Sequence, residues 1–168
     1  MAYQYYVRSI PSYLEICSDK YSAPVEYVQP SFTRLKQAFD WVSNDYSYEK
    51  FRPIDVCKDV PTDSCVIEFV LLRAYRSIEW HEVLSALEEC KLRPALYEEQ
   101  LAFAAKHPEL QKRFRIAAFG SVCNFDSGDE GDVSVLSWSR VRGRSLRTCF
   151  KPFGWPTHYR FLAVRRPV

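Results

Sequence analysis

The chain has 168 residues, of which 47% are hydrophobic and 26% charged, and its formal charge is +2. That length suits one domain able to bury roughly two-thirds of its unfolded surface, and the composition excludes a disordered or fibrous chain. Its apolar runs are too short to cross a membrane as helices.

Residues 2–10 read as a strand. Pro11, Pro24 and Pro30 argue for extended or looping chain up to the first helix. Ser31 fits an N-cap for a helix through about Val42, with Phe32, Leu35, Ala38 and Phe39 on one face. The stretch 43–61 reads as irregular. Residues 65–75, rich in β-branched and aromatic side chains, read as a strand. Ser77 is expected to cap a helix with an apolar stripe of Val83, Leu84 and Leu87. Pro94 is expected to start a second helix, ended by His107-Pro108, with Glu98 and Glu99 suiting its dipole. Strands are expected at 116–122, 133–138, 144–150 and 159–165, with an acidic turn at 126–132. The order of elements predicts an α+β fold.

Six cysteines (Cys17, Cys57, Cys65, Cys90, Cys123 and Cys149) occur without a C-x-x-C pair. No apolar signal segment is read at 1–10. Reduced thiols, a cytoplasmic location, no cofactor and no bound metal are therefore expected. The acidic turn with Asp126, Asp129, Glu130 and Asp132 lacks the ligand spacing of a calcium loop.

Charge is distributed unevenly. From Val133 to Val168 there is no Asp or Glu, while seven Arg and one Lys give +8, so residues 1–132 carry −6. Aromatic residues interleave with these cations, and Arg with large aromatics makes anchoring surfaces. The candidate ligand-binding residues are Trp138, Arg140, Arg142, Arg144, Arg147, Cys149, Lys151, Phe153, Trp155, Thr157, His158 and Tyr159. A solvated strand face is the plain alternative for Arg140, Arg142 and Arg144, and a scaffold role for Trp155. Cys149 among cations and His158 nearby are ingredients of nucleophilic chemistry, but no complete catalytic constellation is present. Cations with aromatics also suit nucleic acid, although no nucleic-acid-binding signature accompanies them.

The segment Leu92-Arg93-Pro94-Ala95 with Glu98-Glu99-Gln100-Leu101-Ala102, and the closing Tyr159-Arg160-Phe161-Leu162-Ala163-Val164-Arg165, resemble the formylglycine-generating-enzyme branch of the C-type lectin fold. With His107–Gln111 and Ile116–Val122, they also resemble a group of proteins from candidate-phylum bacteria. The resemblance implies a C-type-lectin-like core over 77–168 and an N-terminal elaboration over 1–76. It further implies a ligand face over 135–159, of the kind rewritten in variable proteins of diversity-generating retroelements. The enzymes of that branch use a C-terminal pair of cysteines. Only Cys149 lies beyond Cys123, so binding without catalysis is the expectation. The expected partner is a protein or other macromolecule bearing acidic groups.

Overall fold

The computed structural model describes residues 12–43, 51–60, 62–123, 131–150 and 154–166. The strand expected at 2–10 and the acidic positions 126, 129 and 130 lie outside them. Nine strands form one mixed sheet: β1 (Leu14–Val25), β2 (Trp41–Val42), β3 (Arg52–Pro53), β4 (Cys65–Ala74), β5 (Leu92–Pro94), β6 (Arg115–Cys123), β7 (Asp132–Ser139), β8 (Gly143–Phe150) and β9 (Tyr159–Arg165). The order is β1-β4-β9-β6-β7-β8-β2, with β3 added to β6 and β5 to β9. The β6–β9 and β2–β8 pairs are parallel and the rest antiparallel.

Among the described residues, four short α-helices and a 3-10 turn (Asp55–Cys57) accompany the sheet: α1 (Phe32–Ala38), α2 (Trp80–Glu89), α3 (Tyr97–Lys106) and α4 (Leu110–Arg113). Strands therefore dominate the described residues, and the architecture is nearer all-β than α+β. This corrects the expected α+β, C-type-lectin-like fold with an N-terminal elaboration. Two elements account for much of the difference. β1, expected only as extended or looping chain, is a 12-residue edge strand paired along β4. β5, expected to begin a helix, pairs with β9, and α3 starts only at Tyr97. The sheet draws strands from both sides of residue 76.

Side-chain alternation separates two cores, as the period of a strand requires. On one face, Val70, Leu72, Ala117, Val135 and Phe161 pack with Val83, Ala86 and Leu87 of α2. On the other, Phe69, Leu71, Ile116, Leu136, Leu146 and Leu162 pack with Leu35, Tyr97 and Phe103. Caps fix where the helices begin. The Ser31 hydroxyl accepts the Arg34 N–H at 3.3 Å, as expected. The second helix starts after Glu79, not Ser77, and the Glu82 carboxylate accepts the Glu79 N–H at 2.9 Å.

Gly120 lets β6 pass close to the chain after β5. Its N–H donates to the Ala95 carbonyl at 2.8 Å, and its own carbonyl accepts the Ile54 N–H at 3.0 Å. A Cβ there would meet the Ala95 carbonyl and lie 2.8 Å from that of Pro94. Both are backbone atoms, so no side chain could turn aside to make room.

Candidate functional site

The sheet gathers arginines at one end. Antiparallel and parallel pairings bring the end of β4, the starts of β6, β8 and β9 and the end of β7 together there. Arg73 lies directly opposite Arg160, and Arg115 beside Tyr159. Like charges opposite one another destabilise a sheet. Glu15 relieves Arg73 with an ion pair at 3.0 Å. Arg160 is buried, and its guanidinium carbon lies 4.2 Å from the centroid of the Phe114 ring. It donates from Nη1 to the carbonyls of Thr157, at 3.3 Å, and Tyr159, at 3.2 Å. Arg160 thus fixes the turn that carries His158.

Tyr159 is the centre of the cluster. Its ring is buried, and its hydroxyl accepts Nη2 of Arg147 at 3.1 Å. The Arg115 guanidinium carbon lies 5.9 Å from the ring centroid, and the exposed His158 ring lies 4.9 Å from it. Partial desolvation and the charges of Arg115 and Arg147 push the His158 pKa down. Nε of Arg147 is buried without a hydrogen-bond partner. None of Arg115, Arg147 and His158 takes part in a salt bridge among the described residues.

The turn joining β7 and β8 presents a second group. Gly143 has φ +70°, a conformation suited to glycine, and the Asp40 carboxylate accepts the next N–H, that of Arg144, at 2.8 Å. The Ser139 hydroxyl accepts the Arg142 N–H at 3.0 Å. Arg140 and Val141 project at the tip, Val141 with 94% of its surface exposed. Arg142 lies over the Trp41 ring at 4.1 Å, and Trp138 is 41% exposed.

Other sequence candidates belong to the framework. Arg144 is half-buried and donates to the carbonyls of Ala104, at 3.0 Å, and Ala38, at 3.3 Å. It therefore ties α1 to α3 and is not directed at solvent. Trp155 is wholly buried against Phe119, Tyr159 and Phe161. Cys149 is half-buried in β8, and burial pushes its thiol up against the opposing pull of Arg147. That is the reverse of an activated nucleophile. Thr157 is exposed, while Lys151 and Phe153 lie outside the described residues.

Arg115 is the member absent from the sequence candidates, because it precedes the acid-free segment that begins at Val133. The signal was present in Arg113-Phe114-Arg115, cations interleaved with an aromatic. Among the described residues, no three His, Cys, Asp or Glu side chains gather where they could hold a metal ion, and no helix is long and apolar enough to cross a membrane. The chain matches no protein-family model, no curated protein and no solved structure.

Proposed function

We propose that the chain is a non-catalytic ligand-binding protein. Its arginine-lined sheet end takes a macromolecular partner bearing acidic groups. One observation carries this reading: Arg115, Arg147 and His158 converge on Tyr159 with no salt-bridging carboxylate among the described residues. Gathering like charges is unfavourable on its own, and an acidic partner offsets that cost. A labelled polyglutamate peptide is the probe, read by fluorescence anisotropy at several salt concentrations. Arg115→Ala combined with Arg147→Ala is expected to weaken binding at least about tenfold, a loss of roughly 1.4 kcal/mol, with an unchanged circular dichroism spectrum. Equal affinity in a folded variant would overturn the proposal.

In its finer form, the proposal makes the segment 135–159 the product of a diversity-generating retroelement. Change there would be confined to exposed positions such as Trp138, Arg140, Val141, Arg142, Thr157 and His158, because Leu136, Leu146 and Trp155 are core residues. Sequencing the locus and its flanks checks this. A nearby template should differ at adenines in the first set of codons and agree in the second, and an invariant locus without such a copy would remove the idea.

A further inference from the structure

The cluster around Tyr159 has a geometry more specific than a positive patch. Its donors come from three strands and one turn: Arg115 from β6, Arg147 from β8, Tyr159 from β9 and His158 from the turn before it. Arg147 already donates to the Tyr159 hydroxyl at 3.1 Å. No acceptor for the phenol proton is present among the described residues, so the hydroxyl keeps an unused donor beside Arg147. The buried Nε of Arg147 also lacks an acceptor. The turn bearing His158 is held by Arg160 through two carbonyls and by the Tyr159 N–H, which donates to the Pro156 carbonyl at 3.2 Å.

A single carboxylate is satisfied by one guanidinium fork. Two guanidiniums, an imidazole and a phenol converging from different elements suit a group with more oxygens and more charge. A phosphomonoester has three terminal oxygens and about −1.5 to −2 charge at neutral pH. Nucleic acid phosphates would have sufficient charge, but single-strand binding relies on aromatic faces open to bases. Here Trp155 and Tyr159 are both buried. Arginine clusters are a recurring means of reading phosphorylated polypeptides.

We propose that Arg115, Arg147, Tyr159 and His158 form a binding site for a phosphomonoester carried on a polypeptide, and that its engagement places a proton on His158. This rests on the acidic-ligand reading above and narrows it. The proton follows from charge. In the free protein His158 faces Arg115 and Arg147, both cationic, and its pKa is held down. A phosphate dianion beside it offsets these two positive charges and offers the ring N–H an acceptor, which favours the imidazolium.

The test uses the whole chain and follows the His158 ring resonances through a pH titration, with His158→Gln to assign them. Inorganic phosphate is expected to raise the His158 midpoint by roughly one unit or more. Arg115→Ala, at an exposed position, should remove the shift. Arg147→Lys, which keeps the charge but loses the fork, should reduce it while the protein stays folded. A phosphoserine peptide should then bind at least about tenfold more tightly than its unphosphorylated copy, a difference of about 1.4 kcal/mol. An equal affinity for the two peptides overturns the polypeptide source, as does tighter binding of a single-stranded oligonucleotide. A His158 midpoint that ignores phosphate overturns the site itself. Polyglutamate binding in that same protein then separates the two readings: retained, it leaves the broader one standing, and lost, it removes both.

Discussion

Replacing Glu99 by Gln is expected to cost the protein about 3–5 kcal/mol of folding stability, the penalty for leaving a buried charge without its partner. Glu99 is wholly buried, and the Arg93 side chain is 8% exposed. The pair is bidentate, with Nη1 and Nη2 of Arg93 donating to the two carboxylate oxygens at 2.8 and 2.7 Å. The same carboxylate accepts the Leu96 N–H and the Tyr27 hydroxyl, each at 2.8 Å. One side chain therefore joins β5, the first turn of α3 and the segment after β1. Burial and the neighbouring carboxylate push the Tyr27 phenol up, keeping it protonated as a donor. Urea denaturation followed by circular dichroism reads the loss. Exchanging both partners for apolar residues, Arg93→Met with Glu99→Leu, should cost less than Glu99→Gln alone, because no charge is then stranded. A double variant less stable than Glu99→Gln would show that the network's geometry, and not charge burial, sets the penalty.

Trp155→Ala should be nearly as damaging, at about 3–5 kcal/mol for emptying an aromatic site in a packed core. The indole fills the space among Phe119, Tyr159 and Phe161, with ring centroids 4.9, 4.9 and 6.3 Å away. Its backbone also ties the chain to the entry of α2, donating to the Ile78 carbonyl at 2.7 Å and accepting the Ile78 N–H at 3.2 Å. Trp155→Phe should retain most of the stability, since much of the contact area remains. The same urea series checks both variants. A Trp155→Ala protein of undiminished stability would contradict its framework role. Because Trp155 also supports Tyr159, the alanine variant should lose binding along with stability.

The strands from β6 onward could be read from the sequence because their β-branched and aromatic residues are bounded by turns, and β9 occupies the expected 159–165. β1 could not, because an edge strand tolerates what a central one does not. Pro24 sits in it, and register shifts between Ile16 and Ser18 and between Ser18 and Tyr21 break its alternation. In β5, Pro94 suggested a helix start, yet it is paired opposite Ala163. The site was partly legible for a related reason. Composition marked the cationic tail, and Arg147, His158 and Tyr159 do come together. Composition cannot distinguish an arginine that faces solvent, such as Arg140, from one that binds carbonyls inside the fold, such as Arg144. That distinction depends on which helices end nearby, and those ends were set by α1 and α3, far away in sequence.

The position of β9 has a consequence for how the chain matures. Residues 159–165 form the strand between β4 and β6, and β5 pairs with them too. During synthesis, β1 and β4 can form a hairpin-like pair, and β6, β7 and β8 a meander. Neither half can seal its inner edge until β9 emerges and is inserted between them. Once β6 has emerged and until β9 follows, the nascent chain therefore presents two open, apolar strand edges, the kind of surface that chaperones shield and aggregation exploits. The step that completes the sheet also delivers Tyr159 and Arg160 to its arginine-lined end, so binding competence and the closing of the core arrive together.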